Sequence, residues 1–249
     1  RTSTSGSWTT TKPSITNVSD SPMTTYVQVA GDSNHTTKDC GSKTVTISKA
    51  NQPMTVTTPQ TWSTSFSTSS QTKAITAAAS NQGTVTYSIS SQKNSGGTAV
   101  TNFSLSGTTL TAAANTPVGT YTVVITASAA GNGNYNSGTK DITVNVTISK
   151  VDATCPTLTA YSGTYDGSAH SITVSGGSGG TVQYRTSTTG TWGTTKPSIT
   201  NVSDSPMTTY VQVAGDSNHT TKDCGSSTVT ISKATPTLTL SSTSGTLTY

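Results

Sequence analysis

The side chains able to react, ligate or cross-link are few: three cysteines, three histidines, three tryptophans and nine acidic residues, none of them glutamate. His35, His170 and His219 have no nucleophile and carboxylate at the spacing of a hydrolytic motif, and they read as surface or hydrogen-bonded strand residues. Asp32-Ser33-Asn34 and Asp216-Ser217-Asn218 start like a calcium loop. The remaining oxygen ligands are missing, and without glutamate nothing supplies the closing bidentate contact, so an Asx turn at a loop tip is expected. Trp8, Trp62 and Trp192 offer aromatic faces to a sugar. In a chain so poor in large apolar groups they are expected instead in a core or between domains. Lys73 and Asn145 are the residue types of an intramolecular isopeptide, but no clear catalytic acid stands beside them. The expectation is no enzyme, with no catalytic, cofactor or metal site. Cys40, Cys155 and Cys224 remain, and their meaning depends on the elements that hold them.

Those elements repeat. Residues 1–50 return as residues 185–234, differing only at Ser5/Thr189, Ser7/Thr191, Thr9/Gly193 and Lys43/Ser227. Self-similarity at a long period marks an array of stacked units. Cys40 is the repeat equivalent of Cys224, His35 of His219 and Trp8 of Trp192. Ile47-Ser48-Lys49, Ile148-Ser149-Lys150 and Ile231-Ser232-Lys233 each close an alternating strand. They lie about 100 and about 80 residues apart, so two module types are expected, each the size of a seven-stranded sandwich.

Residues 1–50 form the C-terminal part of a short module, 51–150 a long module, 151–234 a complete short module, and 235–249 the start of another. In the long module Ile142, Val144, Val146 and Ile148 alternate with polar residues, as do the apolar residues of 121–127, with Val124 the exception on the outer face. Ala130-Gly131-Asn132-Gly133-Asn134 is a turn of residues able to take positive φ, and Ala77 to Gly83 a strand end entering a turn. In the short module, strands are expected at 157–159, 170–174, 181–184, 209–213 and 228–231. A half-module cannot close a sandwich alone, and its missing strands must come from upstream sequence or from another chain.

Composition agrees. Roughly two residues in five are Ser or Thr, the aliphatics are mostly Val and Ile, and helix formers are scarce. The fold class is therefore all-β: tandem Ig-like β-sandwich repeats of two alternating types. The net charge of +4 comes from singly scattered lysines rather than a basic patch, which argues against nucleic acid as a partner. No stretch reaches the ~20 apolar residues of a membrane span.

The chain resembles the bacterial immunoglobulin-like tandem repeats of large cell-surface adhesins. The residues that carry the likeness are Tyr165-Asp166-Gly167-Ser168-Ala169-His170, Gly180-Thr181-Val182-Gln183-Tyr184 and Tyr210 to Asn218 in the short module. In the long module they are Phe103-Ser104-Leu105-Ser106-Gly107 and Pro117 to Val123. These are turns and core positions, so the resemblance speaks to fold and to a stalk role, not to a ligand. In such a sandwich Cys155, on the first strand, and Cys224, just before the last, run near each other, and a disulfide between them is expected. Cys40 stays unpaired, its counterpart falling before residue 1. The bridge would carry tension past the intervening loop and places the chain outside a reducing cytosol.

The resemblance implies a non-enzymatic stalk or filament segment, extracellular and at the cell surface, spacing a binding tip from the cell. Its partners would be neighbouring repeats of the same chain and other subunits of a surface filament. A glycan- or host-protein-binding module acting through repeated weak sites, and a phage tail fibre segment, are the alternatives.

Overall fold

The computed structural model describes residues 1–80 and 83–239. Asn81 and Gln82 of the expected turn, and residues 240–249 of the expected further module, lie outside the described residues; 235–239 carry no strand. The chain divides into two compact units, Arg1–Thr147 and Ile148–Tyr249. Both are β-structured, with single-turn 3-10 helices at Val18–Asp20 and Val202–Asp204. Among the described residues no helix is long and apolar enough to cross a membrane.

The first unit's strands run β1 (Met23–Val29), β2 (Lys38–Val45), β3 (Met54–Thr55), β4 (Gln60–Ser65), β5 (Gln71–Ala74), β6 (Ala79–Ser80), β7 (Val85–Asn94), β8 (Phe103–Ser106), β9 (Thr109–Ala112), β10 (Gly119–Ala129) and β11 (Gly138–Ser149). A four-stranded sheet in the order β4-β11-β10-β7 accompanies a three-stranded sheet β5-β9-β8, with β3-β6 and β1-β2 as separate pairs. The period of two read from the sequence is the burial pattern. Ile142, Val144, Val146 and Ile148 of β11, and Tyr121, Val123, Ile125, Ala127 and Ala129 of β10, are buried together with Trp62, Phe103 and Leu110. Val124 is half-buried on the other face, where the β10–β7 register shifts and the Ser90 hydroxyl donates to the Val124 carbonyl at 3.1 Å. Phe103 and Tyr121 meet edge to face at 5.3 Å inside this core.

In the second unit β12 (Val151–Asp152), β13 (Thr157–Thr159), β14 (Tyr161–Thr164), β15 (Thr173–Ser175), β16 (Gly180–Arg185), β17 (Met207–Gly215), β18 (His219–Thr220) and β19 (Lys222–Ser232) follow. The main sheet has the order β14-β19-β17-β16, facing the pair β13-β15. Its first strand lies parallel to its last, Tyr161 opposite Val229 through Thr164 opposite Ser232, and the remaining neighbours are antiparallel. That connectivity is an Ig-like sandwich. Ile172, Ile199, Val211, Val229 and Ile231 form the buried centre, with Leu158, Tyr161, Val174, Val182 and Tyr184 packed against them.

Four details differ from the sequence reading. Cys155, expected on the first strand, lies in the link between β12 and β13. The strand expected over 170–174 shortens to Thr173–Ser175, because His170 instead bridges Ile199. β14 was not expected: it is a short edge strand whose Gly163 and following Asp-Gly hide its pattern. β19 starts at Lys222, so Cys224 lies within the last strand rather than before it. Asp223-Cys224-Gly225 looks like a turn but is a bulge, where the register jumps between Tyr210 and Gln212 and Gly225 takes φ +78.

Candidate functional site: the terminal strands and the disulfide between them

Chain enters the second unit through β12 and leaves it along β19. Cys155 follows β12 by three residues, just after Thr154 pairs with Ser178, and it is bonded to Cys224 of β19, with the Cα atoms 5.4 Å apart. The two cysteines are 69 residues apart in sequence. Beside the bridge, the Lys222 ammonium contacts the Asp152 carboxylate at 2.7 Å, and the Thr220 hydroxyl donates to the other carboxylate oxygen at 2.6 Å. Hydrogen bonding from Lys222, then from Thr220, holds the Asp152 carboxyl below its ordinary range, and Asp152 raises the Lys222 ammonium. These three residues escaped the sequence reading. The signal was available: Asp152 precedes Cys155 by three and Lys222 precedes Cys224 by two, so pairing the cysteines sets the charges side by side.

Geometry decides how such a site meets tension. Because β14 and β19 are parallel, a pull on the start of β14 and the end of β19 would load their hydrogen bonds together, in shear; β14 lies between the two cysteines, so this arises only with the bridge open. A hairpin pulled at its open end would lose them one by one. β12 pairs with β18 in the same parallel sense. The disulfide then joins entry and exit covalently, so residues between Cys155 and Cys224 lie off the load path.

One loop is built the same way three times, and two of the three receive an incoming chain. Asp32 Oδ1 accepts from the amides of Asn34 and His35, Asn132 Oδ1 from those of Asn134 and Tyr135, and Asp216 Oδ1 from those of Asn218 and His219, all at 2.8–2.9 Å. Those at Asp32 and Asp216 are the expected Asx turns; the third, at Asn132, relates the two module types, which the sequence reading kept apart. The glycine before each turn is not there for positive φ, as the reading of Gly131 supposed. A Cβ on Gly31, Gly131 or Gly215 would fall 2.4, 2.7 or 2.3 Å from the carbonyl oxygen of His35, Tyr135 or His219. In the first unit this loop grips the chain after the first Ile-Ser-Lys: the Ala50 amide donates to Asn134 O and the Asn136 amide to Ala50 O, at 2.9 and 2.8 Å. In the second, the Val151 and Ala153 amides donate to the carbonyls of Asn218 and Thr220, and Lys150 Nζ to Asp216 O at 2.8 Å.

The remaining sequence candidates do not converge. Trp62 is core, as expected, but Trp8 and Trp192 are not; each lies under a guanidinium, Arg1 or Arg185, at 4.2 Å from the ring centroid. His35 and His219 pair through Nδ1 with Asp32 and Asp216, and His170 stacks on Tyr161 and pairs with Asp166. Lys73 and Asn145 are exposed residues of different sheets. Among the described residues no group of three metal-ligating side chains occurs. Cys40 is a free, exposed thiol.

The sequence matches no protein-family model and no curated protein. Solved structures that it is similar to include Drosophila N-cadherin EC1-4, at 11% identity over 86% of this chain, with a TM-score of 0.38. They also include the N-terminal four Ig domains of a Dscam1 isoform, at 13% over 80% with a TM-score of 0.32, and the titin I-band fragment I67-I69, at 10% over 85% with 0.31. The chain spans 58%, 52% and 74% of those structures respectively. The Ig-like assignment itself comes from the strand order of the sheets.

Proposed function

We propose that this chain is a load-bearing segment of a non-enzymatic extracellular array: the stalk or filament part of a bacterial cell-surface adhesin that holds a binding tip away from the cell. One observation carries the reading. The complete short module ties its entering segment to its leaving strand with a disulfide and an ion pair, both at the point where tension enters. A catalyst or a ligand pocket gains nothing from such a tie; a tether does. The density of hydroxyls in place of charges suits an exposed stalk, and the disulfide suits an oxidising compartment. Side-on glycan binding would need open aromatic faces, but Trp62 is buried and Trp8 and Trp192 each carry an arginine on one face.

Single-molecule stretching of the chain from its two ends tests this. With the bridge intact, the 69-residue stretch is short-circuited; reduction should add about 240 Å to the extension of the short module, at ~3.5 Å per residue. Equal extension with and without reductant would remove the mechanical reading.

A further inference from the structure

Asn132 and Gly133 form the one Asn-Gly dipeptide in the sequence. A five-membered ring closes when the nitrogen of the following residue reaches the asparagine Cγ, and glycine, with no Cβ, hinders that approach least. The loop leaves the attacking group free. Both residues are exposed, and the space a Cβ on Gly133 would enter is open. Among the described residues the Gly133 amide has no hydrogen-bond partner.

The carbon to be attacked is held by the turn. Asn132 Oδ1 accepts from the amides of Asn134 at 2.8 Å and Tyr135 at 2.9 Å. Attack on Cγ moves negative charge onto that oxygen, and fixed donors at about 2.7–3.1 Å are what stabilise such an oxyanion. The loop keeps them in place, since the Asn132 amide donates in turn to the Tyr135 carbonyl at 3.0 Å. Two other sites each lack one part. Asn94 Oδ1 also accepts two amides, from Gly96 at 3.1 Å and Thr98 at 3.0 Å, but a serine follows it. Asp166 precedes a glycine, but the Ser168 amide and then His170 hold its carboxyl below the ordinary range. An ionised carboxylate resists attack by nitrogen. Asn132 combines a neutral amide, the two donors and the glycine.

We infer that Asn132-Gly133 is a self-modifying site, at which the chain converts its own asparagine to aspartate and isoaspartate with water as co-reactant. Solvent base takes the proton of the Gly133 amide as its nitrogen bonds to Asn132 Cγ. The Cγ–Nδ2 bond then breaks, and Nδ2 leaves as ammonia with a proton from solvent. Water opens the cyclic imide at either carbonyl. One opening restores the ordinary main chain, with an aspartate at position 132. Asp32 and Asp216 already hold the same turn at 2.8–2.9 Å, so this product keeps the loop and adds a negative charge. The other opening lengthens the main chain by one carbon and loses the turn. With the turn goes the grip on Ala50, which donates to the Asn134 carbonyl and accepts from the Asn136 amide. The chemistry holds whether or not the array bears load.

The test follows conversion of Asn132 by peptide mass spectrometry in the intact protein at neutral pH, beside a synthetic peptide of residues 128–138 that lacks the fold. With the oxyanion donors in place, conversion should run at least about threefold faster in the protein than in the peptide. Within the protein it should outrun Asn94 and Asn136, which precede serines, at least about tenfold. Gly133→Ala fits the open space at that position and should slow conversion at least about tenfold. Asn132→Asp should leave the Ala50 and Asn136 amides protected from hydrogen exchange, while the isoaspartate fraction loses that protection. A rate in the protein equal to or below that in the peptide would overturn the inference, as would equal rates at Asn132 and Asn94.

Discussion

The exposure contrast between the two repeat copies makes one substitution worth two experiments: Val213→Ala in β17 and Val29→Ala in β1. The side chain, its sequence neighbours and its strand are the same; only burial differs, 0% against 59% exposed. At Val213 the change removes two fully buried methyl-sized groups, about 1.6 kcal/mol of transfer free energy. Incomplete collapse of the space adds about 1 kcal/mol, so the expected cost is about 2.5 kcal/mol. For a domain of this size that lowers the midpoint of thermal unfolding by about 10–20 °C. At Val29 only the covered fraction counts and no enclosed cavity forms, giving about 0.6 kcal/mol. Thermal unfolding followed by resolved methyl signals of Ile172 and Val229 reports the second unit, and signals of Ile15 and Ile47 report the first. A Val29→Ala cost equal to that of Val213→Ala would refute the claim that cover, not sequence, sets the energetics of the two copies.

Other expectations follow from the second unit. Replacing Cys155 and Cys224 together by serine should cost about 4 kcal/mol, the loop-closure entropy of a 69-residue separation, read as a lower urea midpoint. Thr209 is fully buried, and among the described residues its hydroxyl finds no hydrogen-bond partner, so Thr209→Val should stabilise by about 1 kcal/mol in the same measurement. Asp216 is held below the ordinary carboxylate range by the His219 side chain and then by the Asn218 amide. A depressed carboxylate stabilises the folded loop above its unfolded pKa, and that contribution fades as pH falls through the lowered folded value. The Asn218 and His219 amide shifts should therefore move together below the ordinary carboxylate range; constant shifts down to pH 2 would contradict the turn.

Much of this fold was legible because its cores are made of alternating β-branched residues. Ile142 to Ile148 and Tyr121 to Ala127 announced buried faces that the structure places inside. Reading failed where local chemistry imitates a different element. Asp223-Cys224-Gly225 has turn composition but continues a strand through a bulge, and Tyr161 to Thr164 is too short and glycine-broken to alternate. The scarcity of large apolar groups points Trp8 and Trp192 to a core or a place between domains, yet an arginine at the start of the same repeat stacks on each ring. The clamp at Asp152, Thr220 and Lys222 was hidden because a pairing of charges far apart in sequence becomes visible only once the strands beside them are paired.

The repetition also bears on the order of events during maturation. Cys40 and Cys224 sit in the same local sequence, Lys-Asp-Cys-Gly-Ser, so no local feature tells Cys155 which of them to choose. In an unfolded chain the choice rests on distance along the backbone, roughly 115 residues to Cys40 against 69 to Cys224. Loop-closure entropy favours the nearer thiol by only about 0.5 kcal/mol, about twofold. Oxidation of the unfolded polypeptide would thus link Cys155 to Cys40 in roughly one molecule in three, leaving Cys224 unpaired. Without later thiol–disulfide exchange, fidelity requires that β14, β17 and β19 assemble before Cys155 is oxidised, so that the sheet rather than the sequence selects the bond.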